Sequence, residues 1–168
     1  MSDTTQTAES TGKRRRSLNV IGIIMVVIGA IMVIVGGVAW GAVSSQLSAQ
    51  KMTVPGDALS NAGAPVAGPF TAWSMQETIN MHAEKITGGQ TYSELGAVVN
   101  EAKETYGEDS PEAAEAQATR DTAMNASLLR TSLLTSVLSF GVSLFAMGSG
   151  ALAILTGAGF VISSRRRA

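Results

Sequence analysis

The chain has no cysteine, a single histidine, few aromatic side chains, and two long stretches without any charge. Lacking cysteine, it cannot use disulfides to hold a small domain, although an extracytoplasmic location would permit them. His82 alone, with no second histidine and no thiol, is a poor start for a metal site. Neither uncharged stretch contains the Asp, Glu, Lys, Arg or His that usually marks an ion or proton path through a membrane, which argues against a transporter. Bases between the two stretches are limited to Lys51, Lys85, Lys103, Arg120 and Arg130, too few for a nucleic-acid surface.

The uncharged stretches themselves organise the chain. Ser17–Gln50 and Thr131–Ser164 are each 34 residues long, flanked by Arg16 and Lys51 and by Arg130 and Arg165. As a helix, 34 residues would extend roughly 50 Å, more than the ~30 Å hydrocarbon core requires. The pair predicts an all-α membrane protein: a two-helix transmembrane antiparallel hairpin carrying a small helical extracytoplasmic cap. The apolar run Val20–Val43, at 24 residues, exceeds the h-region of a signal peptide, so it is expected to persist as an anchor. Trp40 falls near its outer end, where an indole suits the headgroup boundary.

Charge sets the orientation. Lys13, Arg14, Arg15 and Arg16 precede the first span, and Arg165, Arg166 and Arg167 follow the second; eleven of the thirteen acids lie between them. Positive flanks remain cytoplasmic during insertion. Both termini are therefore expected inside the cytoplasmic (inner) membrane, with residues 44–130 outside. The expected boundaries are a disordered tail over 1–17, a first span over 18–43, the acidic domain over 44–130, a second span over 131–163 with a projecting outer part, and a basic tail over 164–168.

Small residues recur at sevens. Gly22, Gly29 and Gly36 form one series, and Gly37 with Gly41 make a GxxxG. The second span answers with Ser143, Gly150 and Gly157, flanked in the series by Ser136 and Ser164. In lipid no hydrophobic effect draws helices together, so close backbone approach along such a stripe is what favours association. Short connections favour pairing within the chain; homo-oligomerisation or docking on another membrane protein through a second glycine face is the alternative. Partners expected are therefore the lipid bilayer and a membrane protein or second copy, and not nucleic acid.

Between the spans, Lys51–Pro55 reads as a short extended piece and Gly56–Pro69 as a loop. Three helix starts then share one chemistry: Ser74 before Glu77, Thr91 before Glu94, and Asp109 before Glu112, each an N-cap oxygen with an acid three residues on. They place helices at about 74–87, 91–106 and 110–130, the last continuing into the second span. Gly88-Gly89 and Gly107 are the stops. Helical spacing puts Met75, Ile79, Ala83 and Ile86 on one face of the first helix, and Tyr92, Leu95, Val99, Ala102 and Tyr106 on one face of the second. His82 lies near the first of these faces and is expected as a partly buried ring bonded to backbone or a carboxylate. The glutamates of these helices read as a solvated surface, and Asn125-Ala126-Ser127 is discounted as a glycosylation triplet because it sits inside a helix.

Several of these segments taken together, Gly68-Pro69-Phe70-Thr71-Ala72-Trp73, then His82 with Thr87-Gly88-Gly89-Gln90-Thr91-Tyr92-Ser93-Glu94-Leu95, then Thr122–Leu133 with Thr135-Ser136-Val137, resemble a family of small actinobacterial two-pass membrane proteins of unknown function. The resemblance runs from about Lys51 to the end of the second span. Members carry an automatic label as aromatic ring-opening dioxygenases. Many relatives hold cysteines in the outer domain, and Ser74 stands here about where the resemblance places one, so any disulfide of the family is absent from this chain. A non-haem iron site of the labelled class needs two histidines and a carboxylate, which His82 alone cannot supply, and the label reads as an artefact. No catalytic, cofactor or metal-ligating residue is assigned. The leading expectation is a non-enzymatic accessory or scaffold protein of the membrane; the alternative is an extracytoplasmic module that senses or binds a small molecule or lipid, with an enzyme third.

Overall fold

Every regular element of the computed structural model, which describes residues 2–166 and the side chains of residues 16–165, is a helix. They are α1 (Ser2–Ala49), α2 (Pro69–Thr87), α3 (Tyr92–Tyr106) and α4 (Pro111–Arg166). The fold is all-α, with two long apolar helices able to cross a membrane and two shorter ones between them. The most apolar windows of α1 and α4 have mean hydropathies of 3.0 and 1.9, yet only 11% and 17% of their residues are buried. A core helix of a soluble protein would show the opposite, because its apolar side chains would be enclosed.

The chain divides into two units, one of 1–42 with 140–168 and one of 43–139. In the first, α1 and α4 run antiparallel, so Gly22 faces Gly157, Gly29 faces Gly150 and Gly36 faces Ser143. Trp40 packs edge-on against Phe140 with ring centroids 4.7 Å apart, so this indole supports the helix pair as well as standing near the end of the apolar run. Phe140 is enclosed. Near the opposite end, Ser164 donates to the side-chain oxygen of Asn19 at 3.5 Å and to the Val161 carbonyl at 2.7 Å. α1 is helical from Ser2, not from about residue 18, because a tail without proline lets a helix nucleated in the apolar run propagate backwards.

The second unit begins where α1 ends. Lys51, at φ 53°, turns the chain out of the helix, and the loop closes on itself through Val54 N–H to Ala64, Gly63 N–H to Val54 and Val66 N–H to Met52. Val54 and Val66 are thereby enclosed, an extended pair across an isolated bridge between Thr53 and Pro65. α2 starts at Pro69, five residues before the expected Ser74. Gly68 is extended at the cap, Pro69 occupies the first turn where its missing N–H is harmless, and the Thr71 hydroxyl accepts from both the Ala67 and Gly68 amides. Ser74 is instead enclosed within α2: it donates to the Phe70 carbonyl and meets Ser60 at 2.7 Å and the Asn61 amide at 2.9 Å.

α3 starts as expected, with Thr91 and Glu94 capping each other reciprocally. α4 starts one residue later than Asp109 would have it. Pro111 takes the first helical position, which makes Ser110 the cap, its hydroxyl accepting from the Ala113 amide at 3.2 Å. Gly88, at φ 62°, and Gly107 end α2 and α3 as the stops required. The core of this unit is Leu47, Val54, Val66, Ala72, Leu95, Val99, Ala113 and Leu133. On α2 the enclosed positions are Ala72, Ser74, Gln76, Thr78 and Thr87, while Met75, Ile79 and Ala83 are half-buried and Ile86 is exposed, so enclosure extends beyond the expected Met75–Ile86 face onto a second, polar one. Polar residues occupy it at low cost because Ser74 and Thr78 bond backwards to carbonyls one turn earlier. On α3, Leu95 and Val99 are buried but Tyr92 and Tyr106 are not.

Candidate functional site

The most specific geometry in the first unit is the seam between α1 and α4. A β-carbon added to Gly29 would stand 2.5 Å from the Gly150 carbonyl oxygen, and one on Gly150 would stand 2.6 Å from that of Gly29. Gly22 and Gly157 repeat the reciprocal pattern at 2.6 and 2.5 Å. The hydrogen in place of each side chain thus points at the facing carbonyl, a Cα–H···O contact of about 0.5–1 kcal/mol. Gly36 meets the Ser143 carbonyl and Met147 in the same way. Around these points Met25, Val26, Met32, Val33, Ile154 and Val161 fill the flanks.

Gly37 and Gly41 take no part in the seam; a β-carbon at either would meet open space. Helix geometry explains why. At about 100° per residue a step of seven returns nearly to the same face, whereas Gly37 and Gly41 lie roughly 100° and 140° round from Gly36. Of the topology residues, Arg16 and Arg165 are exposed. The side chains of Lys13, Arg14, Arg15 and Arg166, and all of Arg167, lie outside the described residues.

In the second unit, His82 Nε2 and Asp57 Oδ2 are 2.7 Å apart, tying the loop to α2. This hydrogen bond, aided by the charges of His82 and Lys85, holds the Asp57 carboxyl below its ordinary range. Among the described residues no three His, Cys, Asp or Glu side chains stand close enough to share a metal ion. Arg120, which the sequence did not single out, lays its guanidinium 4.1 Å from the centre of the Tyr92 ring, and Gly96 leaves room beside it. A spacing signal existed only across two helices, where no periodicity reveals it. Arg130 donates to the Gln76 side-chain oxygen at 3.5 Å. An open groove of about 300 Å³ has Asn80, Glu84, Gln90, Thr91, Ser127 and Arg130 along its walls.

Glu94 is held below the ordinary glutamate range by the Thr91 backbone N–H and then by its hydroxyl. A carboxylate with a lowered folded value stabilises fully above its unfolded value and ceases to do so as pH falls through the folded one. The N-terminal amides of α3 should therefore be protected from hydrogen exchange at neutral pH and lose protection on acidification through the glutamate range. Glu94→Gln should flatten that dependence; an unchanged profile would contradict the cap's role.

Comparisons of the chain with protein-family models, with curated proteins and with solved structures give no match.

Proposed function

We propose that the chain is a non-enzymatic integral protein of the cytoplasmic membrane that presents its acidic helical unit outside and acts by contact, as an accessory or scaffold subunit of a larger membrane assembly. The observation that carries this reading is the outward apolar surface of α1 and α4. Val38 is 67% and Leu155 69% exposed, within a set of exposed Ile, Val and Leu that continues along both helices. Such a surface needs lipid or protein around it. The basic flanks Lys13–Arg16 and Arg165–Arg167 favour cytoplasmic termini, and the excess of acids over bases between them favours export of 44–130. The outward Gly37 and Gly41 leave α1 a flat face for a membrane-protein partner or a second copy.

A second reading, small-molecule binding or sensing, draws on the groove beside Arg130, whose cation lies among amide and hydroxyl groups suited to a polar ligand. Cross-linking and mass spectrometry of gently solubilised native membranes separates the two. A stoichiometric protein cross-linked to residues of the acidic unit is the expected result. A co-purifying small molecule without a protein partner would favour sensing. Iron that co-purifies and is lost on His82→Ala would overturn both, and restore the ring-opening dioxygenase label.

A further inference from the structure

The second unit carries an apolar patch that neither its core nor the groove beside Arg130 uses. Phe70 is 79% exposed and Trp73 49%, three residues apart and hence on one face of α2. Leu59, 81% exposed, is adjacent to Ser60, whose hydroxyl bonds Ser74 in the next turn of the same helix. These are large side chains to leave in water, and Phe70 and Leu59 are among the most exposed apolar residues of the unit. Their place along the chain is more telling. Ser44, the first residue beyond the apolar run ending at Val43, donates its hydroxyl to the Ala67 carbonyl at 2.7 Å. Phe70 lies only three residues after Ala67, within roughly 11 Å by chain reach. The start of α2 is therefore tied to the level at which α1 leaves its apolar run.

Charge agrees with this placement. Although the segment between the spans holds eleven acids, no charged residue occurs from Ala58 to Gln76. An acidic side chain there would be repelled by anionic headgroups and would lose hydration at the boundary. Aromatic residues, by contrast, are enriched at that depth.

We propose that Leu59, Phe70 and Trp73 form an interfacial anchor that seats the unit against a phospholipid surface, at the headgroup boundary where α1 leaves the bilayer. The assignment rests on the membrane reading, and two tryptophans allow the two to be tested apart. The full-length protein would be reconstituted in phosphatidylcholine–phosphatidylglycerol vesicles carrying a nitroxide either near the headgroup or near the chain terminus. In Trp40→Phe the only indole is Trp73; in Trp73→Phe it is Trp40. Because Trp40 packs on Phe140, the Trp73 signal is also taken as native minus Trp73→Phe, which leaves that contact intact.

Trp73 emission should fall about twofold with the shallow nitroxide, less with the deep one, and respond little to aqueous iodide. Quenching by iodide but not by lipid would overturn the anchor. So would shielding from both, which would mean that protein covers the patch. If Trp40 is quenched by lipid and Trp73 is not, only the anchor fails; if lipid nitroxides reach neither, the membrane reading fails with it.

Discussion

Valine in place of Gly29 should force the α1–α4 seam open. Its β-carbon would lie 2.5 Å from the Gly150 carbonyl oxygen and 2.8 Å from Ile154, and the nearer obstacle is backbone. Backbone in a helix cannot rotate out of the way as a side-chain end can, so the two axes must separate. Separation surrenders the reciprocal contacts at Gly22 and Gly157 as well, since they share the same inter-helix distance. Overpacking of this kind costs about 1–3 kcal/mol, and a site on the helix axis contact belongs at the upper end. Gly37→Val and Gly41→Val meet open space and should stay within about 0.5 kcal/mol of the parent. Trp40, packed edge-on against Phe140, reports the change: its emission in a Trp73→Phe background, followed through denaturation from detergent micelles, should shift its midpoint only for Gly29→Val. A larger effect at Gly37 than at Gly29 would mean that the outward face carries the decisive contact.

Leu95→Ala should release α3. That helix has 15 residues and buries only Leu95 and Val99, each 2% exposed. Isolated helices of this length are marginal in water, so its order depends on those two side chains. Truncating a buried leucine costs about 2–5 kcal/mol, and this is a large share of what so small a core supplies. Hydrogen exchange should show the amides of 92–106 losing protection while those of 20–36, in the other unit, keep theirs. Unchanged protection in α3 would show that the Thr91–Glu94 cap and the Arg120–Tyr92 contact suffice without the leucine.

What could be read from residues alone follows a physical divide. Apolar length and seven-residue spacing are properties of one helix, so both long helices and the Gly22, Gly29 and Gly36 stripe were visible. The GxxxG at Gly37 and Gly41 was equally visible, but which of two faces meets a partner is decided only by the second helix. Thr91 was legible as a cap because Glu94 answers it within four residues. Ser74 misled for the same reason, since Glu77 stands at the right distance while the actual start is set by Pro69. The preference of proline for the first helical turn, which Pro111 also obeys, points to that start. Arg120 over Tyr92 and Asp57 beside His82 join distant segments, and no local pattern announces them.

That α1 and α4 cross the bilayer with both ends inside and the acidic unit outside is tested most directly by single-cysteine labelling, for which a chain without native cysteine is a clean background. In intact cells a membrane-impermeant maleimide should label Asn100→Cys, an exposed position on α3, and should label Thr5→Cys only after permeabilisation. Labelling of Thr5→Cys in intact cells, or release of the protein from membranes by alkaline carbonate, would contradict the account.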